Sequence, residues 1–239
     1  MENLVLEYLN CFNFDNKVRC GIPVDGGYVI GDINETYDCY ISAGINNEDS
    51  FTTDFISKYN MNNNYAFDGT IDDYPYQYTK NITFIKKNIN SYNDDFNDNL
   101  QFLFEKYNNI FLKMDIEGGE YPWLLSIDDN KLNKLKQIVI EFHGITKEGL
   151  HWGTEYDDKI KCFKKLADTH YLIHAHSNNN SQTFNKIPDT IELTYINKKY
   201  FTITPELNTT PLPIPNLDFP NNPYSKDHDL NFYPFVNNI

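Results

Sequence analysis

The chain of 239 residues has no long hydrophobic run. No segment approaches the roughly 18 consecutive apolar residues that a membrane-spanning helix needs. The first residues also lack the basic region and the apolar core of a signal peptide. We therefore expect a soluble, cytoplasmic protein that has no membrane partner.

Cysteine is scarce, and its four positions follow no zinc-binding or redox spacing: Cys11, Cys20, Cys39 and Cys162. A domain of this size buries roughly 70% of its unfolded surface, so it does not need disulfides to be stable. The spacing predicts free thiols in a reducing compartment.

Positive charge is also scarce, because 20 Lys and Arg residues stand against 34 Asp and Glu residues and give a formal net charge of −14. Proteins that bind nucleic acid usually present clustered Lys and Arg side chains to the phosphates. The charge therefore argues against a nucleic-acid partner and favours a small-molecule ligand.

An apolar segment that runs into carboxylates and glycines occupies the middle of the chain. Residues 110–114 have the continuous hydrophobicity of a buried strand, and Gly118 and Gly119 separate it from an amphipathic helix. Asp115 then lies at the carboxyl end of this strand. Because parallel α/β sheets bind their ligands at that edge, an ionised Asp there indicates a functional site.

The rest of the chain alternates between predicted strands and helices. Strands are predicted at 38–44, 65–68, 82–86, 137–142, 171–176 and 190–197, and helices at 48–59, 96–107 and 157–169. Alternation of this kind, followed by two consecutive strands, is typical of an α/β protein. We expect a mostly parallel sheet of seven strands whose last strand is antiparallel, with helices on both faces.

Both ends of the chain add to this domain. Residues 1–36 contain a short helical pattern and a predicted β-hairpin that turns at Asp25, Gly26 and Gly27. We assign residues 1–203 to a single domain. Residues 204–239 hold seven prolines among several aromatic residues, which excludes a helix or a central strand. We expect this extension to pack on the domain or on a partner subunit in a homo-oligomer.

The sequence LKMDIEGGEYPWLL at 112–125 resembles the LK-x-DIEG-x-E-x-x-x-L signature of the FkbM-type family of S-adenosylmethionine-dependent O-methyltransferases. Other motifs that fit the family occur in the expected order: DGGY at 25–28, ISAGIN at 41–46, AFD at 66–68, IVIEFH at 138–143, HAHSNN at 174–179 and PDTIELT at 188–194. The resemblance implies the Rossmann-like fold of class I methyltransferases, with S-adenosylmethionine as cofactor.

The resemblance also implies a function. We expect methyl transfer to a hydroxyl group of a carbohydrate or a glycosylated small molecule. An RNA or cap methyltransferase on the same fold is one alternative, which the acidic charge disfavours. A catalytically inactive assembly module is another, because Asn46 and Asp49 stand where a complete glycine motif would have further glycines.

Cofactor-binding residues are predicted at the ends of the first two strands. The turn that contains Ser42, Gly44 and Asn46 would bring the backbone close to the methionine part of the cofactor. Asp68, followed by Gly69, lies about 20 residues further on, where dinucleotide-binding folds place the acid that holds ribose hydroxyls. A simple turn-capping role is the alternative for Asp68.

Catalytic residues are predicted at the ends of the next two strands. We expect Asp115 near the cofactor and the acceptor, with Glu117 close by. His143 ends the neighbouring strand, and a His whose pKa is near neutral suits a general base that takes a proton from the acceptor hydroxyl. Asp115 and His143 are also candidate ligands for a divalent cation, Mg²⁺ or Mn²⁺, although no dedicated metal-ligand spacing is present.

Three further residues are predicted to contact the acceptor. His176 ends the last parallel strand and Asn178 lies in the loop that follows, so both reach the same edge as Asp115. Tyr121 offers an aromatic face that can stack on a sugar ring, and core packing is its alternative role.

Overall fold

The computed structural model of the chain describes residues 4–33, 35–76 and 81–237. A seven-stranded sheet forms its centre, with strands β1 Cys39–Ala43, β2 Asn64–Phe67, β3 Ile82–Ile85, β4 Ile110–Met114, β5 Leu135–His143, β6 His170–Ser177 and β7 Thr190–Asn197. The α-helices are α1 Ser50–Tyr59, α2 Gln101–Lys106, α3 Glu120–Ser126, α4 Asp129–Leu132 and α5 Tyr156–Thr169. Short 3₁₀ helices cover Leu4–Tyr8, Gly149–Trp152 and Lys198–Tyr200.

The strands lie in the order β3-β2-β1-β4-β5-β7-β6. The neighbouring pairs β3–β2, β2–β1, β1–β4 and β4–β5 are parallel. Strand β7 is antiparallel to both of its neighbours, β5 and β6. The prediction of a mostly parallel, seven-stranded sheet with an antiparallel last strand is confirmed.

Helices cover both faces of the sheet because the strands are apolar on both sides. In β4, Ile110, Leu112 and Met114 belong to the larger core, which also contains residues of α2, α3 and α5. Phe111 belongs to a second core, with residues of α1 such as Phe55. Alternate residues of one strand therefore pack against opposite layers, as the two-residue period of a strand requires.

The N-terminal hairpin, formed by Lys17–Cys20 and Tyr28–Gly31, packs on the same face as α1. A buried amide in β5 holds it there. Gln137 Oε1 accepts a hydrogen bond from the Gly31 N–H at 2.7 Å, and Gln137 Nε2 donates to the Gly31 carbonyl at 3.0 Å. The Gln137 amide pairs with both backbone groups of Gly31, as a neighbouring strand would. The hairpin is therefore held against the sheet without being one of its strands.

The C-terminal segment, residues 204–237, packs on the domain without forming a helix or a strand. It contributes Leu212, Leu230, Phe235 and Val236 to the larger core. Its backbone also makes an isolated bridge between Leu207 and Phe12. The segment is therefore attached to the domain by apolar burial as well as by backbone hydrogen bonds.

Helix α2 begins five residues later than the sequence predicts, at Gln101 rather than at residue 96. The Asp94 carboxylate accepts hydrogen bonds from the N–H groups of Phe96 and Asn97, which holds these residues in a turn. Asn97–Asp98 then pairs with Asn88–Ile89 as a short parallel ribbon. The Asp94 carboxylate thus binds N–H groups in a turn that would otherwise belong to a helix. Asp residues commonly compete with helix formation in this way.

The four cysteines are free and buried. Among the described residues, no helix combines the length and the apolarity needed to cross a membrane.

Strands β1 and β4 end side by side, and their contact leaves no room for a side chain at Gly44. The Asp115 N–H donates to the Ala43 carbonyl at 2.9 Å, so the chain that leaves β4 runs against the turn that leaves β1. A Cβ atom on Gly44 would lie 1.5 Å from the Asp115 carbonyl oxygen, and Gly44 has a φ of +75°. Both the backbone conformation and the close approach therefore require glycine.

We expect Gly44→Ala to lower the free energy of unfolding by roughly 3 kcal/mol or more, because a steric clash adds to the cost of the left-handed backbone. Gly153 is a matched control, since its φ is +85° but nothing lies within 4 Å of its Cβ position. Gly153→Ala should cost only about 1 kcal/mol. Urea unfolding of both variants measures the two changes in the free energy of unfolding. Equal changes would show that the contact with Asp115 does not require glycine at position 44.

Candidate functional site

A cavity of about 890 Å³ opens at the carboxyl edge of the sheet. The turns after β1 and β2, the loop after β3, the segment after β4 and the N-terminal hairpin all contribute to its lining. Its volume lies in the range of small-molecule sites, and its place is the edge where parallel α/β sheets bind ligands.

Asp68 closes the turn at one wall of this cavity. Its Oδ2 accepts hydrogen bonds from the N–H groups of Ile45 at 2.9 Å and Asn46 at 2.8 Å. Its Oδ1 accepts from the Thr70 N–H at 2.7 Å and the Thr70 hydroxyl at 2.6 Å. Burial opposes the charged form, but these donors outweigh burial and lower the pKa of Asp68. Asp68 therefore lines the cavity and holds its turn at the same time.

The other predicted cofactor residues lie around this turn in different positions. Gly44 and Asn46 line the cavity. Ser42 is fully buried beneath the turn, where its hydroxyl donates to Asp49 at 3.4 Å, and it is not a lining residue. Gly69 is also outside the lining, and its Cβ position would lie 2.5 Å from the side chain of Asn88.

The three predicted catalytic residues converge beside the cavity. His143 Nε2 lies 3.5 Å from Glu117 Oε2 and 3.9 Å from Asp115 Oδ1. One ligand atom from each of the three residues lies within 4.8 Å of the others. Asp115 and Glu117 line the cavity, and His143 is buried next to them. We refer to these residues as the Asp115–Glu117–His143 group.

The local backbone explains how Glu117 reaches His143. Strand β4 ends at Met114, so Asp115 and Glu117 do not share the face of a continuing strand. Instead, Glu117 and Gly118 have φ values of +55° and +95°, which turn the chain back towards β5. This left-handed turn brings both carboxylates to one imidazole.

Glu120 orients His143 from the opposite side. Its Oε1 lies 3.1 Å from His143 Nδ1 and also accepts the N–H groups of Ile116 and Gly118 at 3.1 and 3.3 Å. A carboxylate in this position favours a proton on Nδ1 and leaves Nε2 facing the other two acids. The sequence gives no sign of this contact, which joins residues 23 positions apart.

The carboxylates around His143 change its protonation. Burial favours the neutral ring, but the hydrogen bond and the charge of Glu120, with the charges of Glu141 and Asp115, raise the pKa of His143 to about 9. The imidazole is therefore protonated at neutral pH, in contrast with the near-neutral pKa that the sequence analysis assumed.

A buried tyrosine connects this group to β5. The Tyr28 hydroxyl lies 3.1 Å from Asp115 Oδ2 and 3.4 Å from Glu141 Oε2. Burial and the charges of Asp115 and Glu192 raise the pKa of Glu141 well above its ordinary value. Asn178 Nδ2 donates to Glu141 Oε1 at 2.8 Å, so this predicted substrate residue reaches the site through Glu141.

The two remaining predicted substrate residues are enclosed by protein. His176 lies between Glu192, at 3.1 Å, and Asp227, at 3.0 Å. Tyr121 is fully buried and packs on Phe142 with ring centroids 5.3 Å apart. Neither side chain lines the cavity, so their contacts with an acceptor stay predictions.

The loop after β3 supplies lining residues that the sequence analysis missed. Asn88, Ile89, Asn90 and Asn97 all line the cavity. The sequence identifies residues 88–98 only as an Asn/Asp-rich loop. The available signal was positional, because this loop follows a parallel strand and therefore starts at the same edge as the other functional turns.

The family model described as the methyltransferase FkbM domain matches residues 27–161, which is more than half of the chain and includes β1 to β5. No curated protein matches the sequence significantly. Among solved structures, the chain is similar to a TehB-like SAM-dependent methyltransferase from Corynebacterium glutamicum ATCC 13032. That similarity has 15% identity and a TM-score of 0.39, and it covers 69% of this chain and 83% of the other.

The family match contains the Asp115–Glu117–His143 group, the 44–46 turn and Asp68. The chain therefore belongs to the FkbM family of methyltransferases.

Proposed function

We propose that the protein transfers a methyl group from S-adenosylmethionine to a hydroxyl group of a carbohydrate or a glycosylated small molecule. The observation that carries this proposal is the composition of one cavity. The same space is lined by the 44–46 turn and Asp68, which suit the cofactor, and by Asp115 and Glu117, which suit a hydroxyl acceptor.

The lining matches the chemistry of S-adenosylmethionine. The 44–46 turn would hold the methionine part. Asp68 would hold a ribose hydroxyl in place of the Thr70 hydroxyl, because its other acceptor positions are taken by the N–H groups of Ile45, Asn46 and Thr70. The amides of Asn88 and Asn90 offer donors and acceptors to adenine, with Ile89 as an apolar neighbour. When bound, the cofactor supplies an electrophilic methyl group on a positively charged sulfonium.

The Asp115–Glu117–His143 group would bind the acceptor hydroxyl and take its proton, because an attacking hydroxyl must lose a proton. The side chains of Asp115 and Glu117 are 27% and 73% exposed, so both carboxylates can reach a ligand. His143 is protonated at neutral pH, since its pKa is about 9. It can act as a base only after it loses that proton, whereas Asp115 can accept a proton directly.

The charge of the lining favours a saccharide over RNA as the acceptor. Asp25, Glu48, Asp115 and Glu117 all line the cavity, and the chain as a whole carries a net charge of −14. Phosphate groups would be repelled by this surface.

Titration of the purified protein with S-adenosylhomocysteine tests the cofactor site. We expect micromolar or tighter binding. Asp68→Asn should weaken it about tenfold or more, because the amide cannot accept all four hydrogen bonds that hold the turn. His143→Ala should leave the Kd within about threefold, since His143 does not line the cavity. Absence of binding by the wild type would instead favour the inactive assembly module.

We propose as a second step that the Asp115–Glu117–His143 group holds a divalent cation, Mg²⁺ or Mn²⁺. One nitrogen and two carboxylate oxygens already lie within 4.8 Å of one another. The hydrogen bond from His143 Nδ1 to Glu120 is the usual support of a metal-binding His. Such an ion would bind the acceptor hydroxyl and would compete with the proton on His143.

Titration with MnCl₂ in the presence of S-adenosylhomocysteine measures the affinity of this site for Mn²⁺. We expect Glu117→Gln to weaken Mn²⁺ binding about tenfold or more, because it removes a charged ligand. Asp72→Asn is the matched control, since Asp72 is an exposed acid paired with Lys86 outside the cavity. Equal Mn²⁺ affinities for the wild type and both variants would contradict a specific site.

The raised pKa of His143 predicts a pH dependence of stability in the presence of a chelator. The folded state holds the His143 proton up to about pH 9, whereas the unfolded state releases it near the ordinary pKa of 6.5. The stabilisation is therefore complete below pH 6.5 and is lost as the pH rises through about 9. It amounts to the order of 3 kcal/mol.

Unfolding of His143→Gln, compared with the wild type between pH 6 and about 9.5, isolates this contribution. His176 also has a raised pKa and gives a slope of the same sign, which both proteins share. His170→Gln is the control above about pH 7.5, because burial lowers the pKa of His170 to about 4 and its own slope therefore lies between about pH 4 and its ordinary pKa of 6.5. A wild-type slope in His143→Gln would refute the assignment.

A further inference from the structure

One buried amide connects the C-terminal segment to the cavity. Asn221 Nδ2 donates to Asp25 Oδ1 at 3.0 Å and to Glu192 Oε1 at 2.8 Å. Asn221 and Glu192 are 6% and 5% exposed, whereas Asp25 is exposed and lines the cavity. The amide therefore joins β7, the C-terminal segment and the turn of the N-terminal hairpin at one point.

Glu192, the residue of β7 that accepts a hydrogen bond from Asn221, is itself held by a second buried contact. Glu192 uses its other oxygen, Oε2, to contact His176 Nδ1 at 3.1 Å. His176 Nε2 in turn contacts Asp227 of the C-terminal segment at 3.0 Å. Buried hydrogen bonds of this kind are costly to break, so Asn221 has a fixed support on the sheet.

Arg19 attaches the same hairpin turn, residues 21–27, at a second point. Its guanidinium donates to the carbonyls of Ile22 at 2.9 Å, Val24 at 2.8 Å and Leu217 at 3.3 Å. The guanidinium also lies 5.2 Å from the centroid of the Phe219 ring. Two contacts therefore tie the turn to the C-terminal segment.

We propose that Asn221 is a positioning residue for the acceptor and that it acts through Asp25. This inference rests on the methyltransferase function proposed above. Asp25 Oδ1 is occupied by Asn221, while Oδ2 makes no hydrogen bond to the part of the chain that the structure describes. The free oxygen is available to accept a hydrogen bond from a hydroxyl or ammonium group of the acceptor. Asp25 belongs to the DGGY motif that fits the family, whereas Asn221 lies outside the family match at 27–161, so the attachment through Asn221 would be a feature of the chain rather than of the matched domain.

Asparagine is suited to this position because its neutral NH₂ group donates to two carboxylates at once. An Asp at the same position would have the same size. Its ionised form has no donor and would place a third carboxylate beside Asp25 and Glu192, and its protonated form has one O–H, which can reach only one of the two. Asn221→Asp therefore weakens the attachment of Asp25 without creating a cavity.

The experiment measures methyl transfer from labelled S-adenosylmethionine to a panel of neutral methyl glycosides, followed by kinetics on the best of them. Asn221→Asp should raise the KM for the glycoside about tenfold, with kcat and the Kd of S-adenosylhomocysteine within about twofold. Asp25→Ala should have the same effect. The double variant should be no worse than Asp25→Ala, because coupled residues are not additive.

Asn222→Asp is the matched control in the same segment. Asn222 Oδ1 accepts a hydrogen bond from the Tyr224 N–H at 3.0 Å, and a carboxylate oxygen can accept the same bond. This variant makes the same chemical change next to Asn221 and should keep the wild-type KM.

Additive effects on KM, or a parallel rise in the Kd of S-adenosylhomocysteine, would show that Asn221 supports the fold in general and would overturn the inference. A wild type that binds S-adenosylhomocysteine but methylates no glycoside would reject the carbohydrate acceptor. In that case amide hydrogen exchange tests, without an acceptor, whether Asn221 holds the hairpin turn. Faster exchange at residues 21–27 in Asn221→Asp than in Asn222→Asp supports this role, and equal exchange rates overturn it. A wild type that does not bind S-adenosylhomocysteine would reject the proposed function itself.

Discussion

The close approach of two strand ends is the constraint on which the rest of the site depends. The Asp115 carbonyl lies against Gly44, so the turns after β1 and β4 form one surface. Lys113 reinforces this contact, since its Nζ donates to the Gly44 carbonyl at 2.6 Å. Asp68 then fixes the far side of the 44–46 turn through its amide hydrogen bonds. The backbone that would face the cofactor is thus held by protein contacts from both sides before any ligand binds, which is the basis of preorganisation.

An excess of carboxylates sets the electrostatics of the site. Asp115, Glu117 and Glu120 surround one imidazole, and the Glu141 carboxyl lies behind them, 3.4 Å from the Tyr28 hydroxyl. The carboxylates favour positive charge and raise the pKa of His143 against the effect of burial, whereas burial first and the neighbouring carboxylates second raise the pKa of Glu141. A sulfonium and a divalent cation are both compatible with such surroundings, whereas an anionic acceptor is not.

The walls of the cavity have two origins. The family match supplies the sheet edge with the residues that suit methyl transfer. The hairpin turn and the C-terminal segment, which lie mostly outside that match, add Asp25 and its attachment through Asn221. Function on a shared fold usually changes through such peripheral elements, because the scaffold can keep its chemistry while the acceptor contacts vary.

The sequence by itself determined the sheet, its antiparallel last strand and the placing of Asp68, Asp115 and His143 at one edge, because strand periodicity and the ends of strands are local properties of the chain. It predicted neither the start of α2, where the Asp94 turn competes with the helix, nor the part that the 88–98 loop plays in the lining. Only the tertiary structure decided the contacts of Glu120 with His143 and of Asn221 with Asp25. These contacts join residues 23 and 196 positions apart, and they depend on the direction of side chains, which no pattern of residue types encodes.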